Sequence, residues 1–296
     1  MTAETQQEKI IRTAQEVFYL SAEDANELAF MSKCFIQATL PHSDPGDTPL
    51  WWRQSGDYTL SIQPHFVPGK DGKPKNLGLP YGSVPRLILA WANGEVVKTK
   101  SKELILGKSL TDFVEKINLG GATGGKNGSI TRLKNQAMRL FSSKLTLTHQ
   151  TDKRLSVSNA LLADYAEYFW DPLNPNQQSL WDSRIMLSER FYNLLLASPV
   201  PLDFRILKSL QRSPMALDLY MWLSYRMFTL KKPQTIKWET LSMQFGSEYK
   251  SMKGFRENVR KHLCKIKAIW QELNLDIDNE ETITIFPSRL LILPKN

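Results

Sequence analysis

Cysteine is nearly missing. Cys34 and Cys264 are the two thiols in 296 residues, too few for a disulfide framework, so the chain reads as a protein of a reducing cytoplasm. The four histidines, His42, His65, His149 and His262, are far apart, and none has a Cys or His at ligand spacing. That disfavours a zinc site and leaves no His-x-His pair to hold a metal beside a nucleophilic tyrosine. No G-x-S-x-G elbow occurs, so the usual sequence mark of a serine hydrolase is missing. No run approaches about 18 uncharged apolar residues and the N-terminus has no apolar signal core, which predicts a soluble chain with no membrane partner.

Glycine is also sparse, but Gly120, Gly121, Gly124, Gly125 and Gly128 crowd together. Gly120, Gly125 and Lys126 almost complete a phosphate-binding loop, G-x-x-x-x-G-K. Asn127 stands where Ser or Thr is needed, and a helical pattern precedes the run instead of a strand. The nucleotide-hydrolysing reading therefore stays a distant alternative, and no cofactor or metal is expected.

The charge that is present is unevenly placed. The formal net charge is +8. Residues 95–154 carry +7 and residues 203–270 carry +9, while 1–82, 155–202 and 271–296 are each −3. Two basic blocks set between acidic ones suit two modules that meet a polyanion.

The first block centres on Leu104–Phe141. Ser109 followed by Asp112 has capping-box spacing, and Leu110, Phe113, Val114 and Ile117 fall on one helical stripe. The glycine run cannot continue that helix. Ser129 can cap a second helix whose buried stripe is Ile130, Leu133, Ala137 and Leu140. Arg132, Gln136 and Arg139 form another stripe, with Lys126, Asn127 and Thr131 near its N-terminal end. Long donors on one face of a helix that follows a turn suit a recognition helix reading a DNA groove. An ordinary solvated amphipathic helix has the same pattern. Lys144–His149 and Leu155–Leu162 alternate as a strand pair and are expected to be the wing of a winged helix, with Lys153 and Arg154 at its tip near phosphates.

The second block repeats the plan. Pro214–Phe228 is an apolar helix, Ile236–Trp238 a short strand, Trp238–Phe245 a helix and 246–250 a turn, and 251–273 a long helix. Lys253, Arg256 and Arg260 line one side of that helix, flanked by Lys250, Lys261 and Lys265, and Ile277 with Thr282–Phe286 predicts a second hairpin. Upstream, Glu4–Tyr19 reads as a helix, Ser21 with Asp24 as the cap of another running to about Thr39, and Tyr58–Gln63 as a strand. Leu202–Leu210 reads as a helix and Ser183–Leu187 as a strand. The predicted fold is α+β, mainly helical, with tandem winged-helix (helix-turn-helix) domains: an N-terminal helical and strand region over 1–82, a first domain over 83–187 and a second over 188–296.

Five segments carry a family resemblance: Ala38–Pro45, Leu79-Pro-Tyr-Gly-Ser-Val-Pro-Arg-Leu-Ile-Leu-Ala-Trp91, Val97–Glu103, Leu106–Leu110 and Ile130–Gln136. They resemble the plasmid-encoded RepA replication initiators of Gram-negative bacteria. The similarity is clearest over 38–141, and Pro-Tyr-Gly-Ser-x-Pro-Arg-Leu is its most specific part. The resemblance implies a non-enzymatic initiator, cytoplasmic and associated with nucleoid or plasmid. It would bind direct repeats in double-stranded origin DNA, recruit the host initiator and helicase, and exchange between monomer and homodimer. Ser129, Arg132, Lys134, Gln136 and Arg139 would then be contacts of the first module, and Lys253, Arg256, Arg260 and Lys261 of the second, the latter from helical spacing alone. The nearest alternative is a winged-helix transcriptional repressor, which predicts dimeric binding to inverted repeats and no support for replication.

Overall fold

The computed structural model describes residues 4–69, 71–117, 128–168, 182–246 and 249–293. Over these, α and β structure are mixed, with helix the larger share at 43% against 26% strand. The chain divides into two compact units, one formed by residues 40–199 and the other by 1–39 together with 200–296. This division differs from the expected boundaries at 82 and 187: the N-terminal region is split, its first part joining the C-terminal unit and the rest joining residues 83–199.

The N-terminal part of the discontinuous unit begins with α1 (Gln6–Tyr19), which Thr5 and Glu8 start with a capping box. The helix expected from Ser21 to Thr39 does not form. Ser21 and Asp24 do bond each other, but they close a single turn, and Asn26 then takes φ 54°, a left-handed conformation that stops a helix. Strand β1 (Leu28–Ser32) and the short α2 (Lys33–Gln37) follow.

The 40–199 unit opens with strands β2 (Trp51–Ser55), β3 (Tyr58–Gln63), β4 (Phe66–Pro68) and β5 (Pro74–Asn76). Helix α3 (Ser83–Thr99) follows and is almost wholly buried from Pro85 to Asn93. Then come β6 (Glu103–Gly107), α4 (Leu110–Lys116) and α5 (Ser129–Ser142). Ser109 and Asp112 do form a capping box on α4, whereas α5 starts one residue earlier than expected, with Gly128 as its N-cap. Phe113, Val114 and Ile117 meet Ile130, Leu133, Ala137 and Leu140 in the core, with Trp91 edge-on to Phe113 at 5.4 Å. The glycine run, with Lys126 and Asn127, lies outside the described residues.

After α5 come β7 (Lys144–Thr151), β8 (Arg154–Leu161), β9 (Ala163–Glu167), β10 (Ser183–Leu187) and α6 (Glu189–Ala197), the last capped by Ser188. The expected wing pairs elsewhere. The β7–β8 hairpin forms as predicted, but it pairs with β3 in a four-stranded sheet of order β2-β3-β7-β8. The strand that pairs with β6 is β10, in a sheet of order β6-β10-β9. The alternating pattern of 144–162 was legible, but not its partner, because the pairing rests on Leu60 and Ile62 of β3, which stand opposite Leu147 and Leu145 across the sheet.

The C-terminal part of the other unit holds β11 (Pro199–Asp203), α7 (Phe204–Leu210), α8 (Pro214–Thr229), β12 (Gln234–Lys237), α9 (Trp238–Phe245), α10 (Met252–Ile269), β13 (Leu275–Asp276) and β14 (Thr282–Ile285). Leu202 and Asp203, expected to begin a helix, instead end the strand Pro199–Asp203, which pairs with β1. Asp203 then caps α7, and its carboxylate takes Arg205 at 2.6 and 3.0 Å. Arg205 also donates to the Glu16 and Leu20 carbonyls at the end of α1, so a buried cation sits where that helix exposes its last oxygens. Phe245, Phe255, Trp238 and Trp270 fill the core of this unit. Its sheet has the order β12-β14-β13.

The two units therefore share one plan. In each, a long apolar helix, a short strand and two helices precede a strand pair whose second member bonds to the first short strand.

Candidate nucleic-acid interface

In the 40–199 unit the plan presents α5. Arg132 and Asn135 are exposed on it, and Ser129, Thr131 and Lys134 are half-buried. The other two members of the predicted reading stripe face inward. Gln136 is buried, and its Oε1 accepts the Tyr81 amide at 2.9 Å. Arg139 donates to the Leu79 carbonyl at 3.3 Å, lies 3.6 Å from an Asp44 carboxylate oxygen and covers the Tyr81 ring at 5.4 Å. Gly78 approaches so closely that a Cβ there would lie 2.8 Å from the Arg139 guanidinium carbon, and its φ is +82°. Gln136 and Arg139 thus seat the helix on residues 78–81; they do not stand on its open face. Lys153 and Arg154 are exposed at the β7–β8 turn, which is not the hairpin of the β6-β10-β9 sheet.

In the other unit the plan presents α10, capped by Ser251, whose side chain accepts the Gly254 amide. Lys250, Lys253 and Lys261 are exposed. Arg256 and Arg260, predicted on the same face, are turned onto the loop between β13 and β14. Arg260 donates to the carbonyls of Ile277 (2.6 Å), Asp278 (3.1 Å) and Asn279 (2.8 Å) and to Glu280 Oε1 (3.1 Å). Its guanidinium also covers the Trp238 ring at 5.5 Å, and Trp238 Nε1 donates to Asn279. Arg256 reaches both the carbonyl and the carboxylate of Glu280, at 2.8 and 2.5 Å. The hydrogen bond from Arg260 and the charge of Arg256 hold the Glu280 carboxyl below the ordinary carboxylate range. Sequence reasoning missed Glu280. The acidic run Asp278–Glu281 beside a basic helix was the available signal, and spacing along one helix could not show it.

Among the described residues no group of His, Cys, Asp and Glu could hold a metal ion, and no helix is long and apolar enough to cross a membrane. What the surface offers is cations on two helices and a hairpin turn, a set suited to phosphate and base edges.

The segment on which α5 is seated opens the region, residues 79–240, matched by the family model for plasmid-encoded RepA protein. The chain belongs to the plasmid-encoded RepA family. The match covers more than half of the chain and runs from the α5 seat to the first residues of α9. No curated protein sequence matches it. Membership in the RepA family supports plasmid replication initiation as the process served and DNA at an origin as the partner.

Proposed function

We propose that this RepA-family protein is a non-enzymatic replication initiator. It binds repeated sequences in double-stranded origin DNA through two winged-helix domains, pairs as a homodimer in part of its cycle, and recruits the host initiator and helicase. The observation that carries the reading is the plan shared by the two units, each presenting exposed cations from or beside the second helix of its helix pair, α5 or α10. Arg132 reads base edges from α5, with Ser129, Thr131 and Lys134 alongside, and Lys126 and Asn127 lead into that helix. Lys153 and Arg154 hold backbone phosphates from the β7–β8 turn. Lys250, Lys253 and Lys261 do the same for the second domain, where Arg256 and Arg260 set the position of the hairpin loop.

The test is binding to an origin fragment carrying direct repeats, against a scrambled fragment, over a salt series. The expected result is tighter binding to the repeats. Arg132→Ala should relax that preference, and Lys153→Ala should weaken binding to both fragments and reduce the salt slope by about 1. Equal affinity for the two fragments, or an origin plasmid that replicates without the protein, would sink the reading.

A further inference from the structure

Two arginines of α10 each divide their hydrogen bonds between backbone and carboxylate oxygens. Arg260 gives Nε to the Ile277 carbonyl and Nη2 to those of Asp278 and Asn279, and keeps Nη1 for Glu280 Oε1 at 3.1 Å. Arg256 gives Nη1 to the Glu280 carbonyl and Nη2 to Glu280 Oε2 at 2.5 Å. The backbone bonds fix both guanidinium groups. The two remaining nitrogens, one from each arginine, converge on the two oxygens of a single carboxylate. Residues four apart lie side by side on a helix, which is what lets both reach it. Lys253, one turn before Arg256, adds a third positive charge near that carboxylate.

Two N–H donors held in place, with a third cation beside them, around a pair of anionic oxygens are what a phosphate needs. Here the oxygens come from the chain itself, and their hold is weak. The Glu280 side chain is 67% exposed, against 21% and 23% for Arg256 and Arg260. Water therefore reaches the carboxylate from its open side, and the ion pairs contribute little. The arginines do not depend on it for their position, because the carbonyl bonds remain when the carboxylate leaves. Among the described residues, Glu280 is the acid of 276–281 that pairs with α10. Glu281, next to it, is exposed, and its backbone rather than its side chain is tied down, by the Asn279 side chain and the Trp238 amide.

We propose, on the reading that α10 faces DNA, that Arg256 and Arg260 form a cradle for one backbone phosphate of the duplex, and that Glu280 fills this cradle until DNA displaces it. Binding then exchanges one anion for another. The carboxylate turns out to water, two phosphate oxygens take the Nη2 of Arg256 and the Nη1 of Arg260, and the bonds of both arginines to the loop carbonyls stay. Glu280 thereby weakens the grip on every duplex alike, because a phosphate contact carries no sequence. Base-edge contacts are left with a larger share of the affinity.

The test compares the wild type, Glu280→Gln and Glu281→Gln for binding to a scrambled duplex over a salt series. Both substitutions remove one negative charge from the same loop, and only the first empties the cradle of its anion. Glu280→Gln should bind about fivefold more tightly than the wild type, with a salt slope steeper by about 1. Glu281→Gln should stay within about twofold of the wild type. In an Arg256→Ala background, Glu280→Gln should lose most of its gain, because half of the cradle is gone. Equal affinity of Glu280→Gln and wild type, an equal gain from the two glutamine substitutions, or a gain that persists without Arg256 would each overturn the proposal. A chain that holds repeats and scrambled DNA equally loses the initiator reading and leaves this comparison intact, whereas a chain that binds no duplex loses both.

Discussion

Replacing Arg260 separates two roles that the sequence makes look alike. If the side chain reads DNA, removing it costs affinity and leaves the fold alone. If it braces the β13–β14 loop, the loss appears in the free protein. Arg260→Ala removes bonds to three carbonyls and one carboxylate, together with the cover over Trp238. Bonds from a charged donor are worth about 1.5–3 kcal/mol each when buried. The Arg260 side chain is 23% exposed and Glu280 67%, so water replaces much of what is lost, and the Glu280 pair itself contributes little. About 2 kcal/mol for the whole fan is the reasoned sum. By the tenfold-per-1.4 rule, that is about 30-fold faster amide exchange in the segment the fan holds. Hydrogen-exchange mass spectrometry on the peptide spanning 275–285, without DNA, reads this directly. Arg260→Lys keeps the charge but cannot reach four oxygens from one planar fork, so it should behave like the alanine variant. Exchange within twofold of wild type for Arg260→Ala, or full protection in Arg260→Lys, would refute the bracing role.

Four further outcomes follow from the geometry. Gln136→Ala should cost about 1–2 kcal/mol in urea unfolding, because the Tyr81 amide loses its acceptor, and should leave preference among DNA sequences unchanged, in contrast to Arg132→Ala. Gly78→Ala should cost about 1–2 kcal/mol, from the left-handed backbone and the displaced Arg139, measured by thermal unfolding. Stability contributed by ionised Glu280 is present above the ordinary glutamate value and lost as pH falls through its lowered one. Exchange protection over 275–285 should therefore fall in acid, below the ordinary glutamate range, and Glu280→Gln should flatten that dependence. Cys264 is exposed, whereas burial pushes the Cys34 thiol up to about 11. Ellman's reagent at pH 8 should titrate the first rapidly and the second only after denaturation.

What could be read from the chain was what depends on near neighbours. The Ser109–Asp112 box, the bounds of α9, the proline-started α8 and the apolar stripes of α4 and α5 all rest on residues within two helical turns of one another. The errors came where a distant partner decided. Residues 28–32 and 199–203 carry no strong alternation, yet each becomes a strand because the other is there to pair with it. The 144–161 hairpin was legible as a hairpin, but its place beside β3 depends on burial some eighty residues upstream. At the candidate site, helical spacing correctly put Arg132, Gln136 and Arg139 on one stripe and could not say that the segment at 78–81 would cover two of the three. The same limit hid the turn of Arg256 and Arg260 toward Glu280.

The seating of α5 on residues 78–81 also bears on how target preference can change. Gln136 and Arg139 fix the helix in place, while Arg132 and Asn135 project from it without serving that purpose. Under the proposed function, substitutions at the second pair would retune which base pairs are favoured while the mounting stays as it is. A substitution at the first pair moves the whole helix and every contact it makes. If the proposed DNA reading holds, a mounting separate from its interchangeable faceplate would let one scaffold drift from one origin sequence to another in single steps, each of them folded.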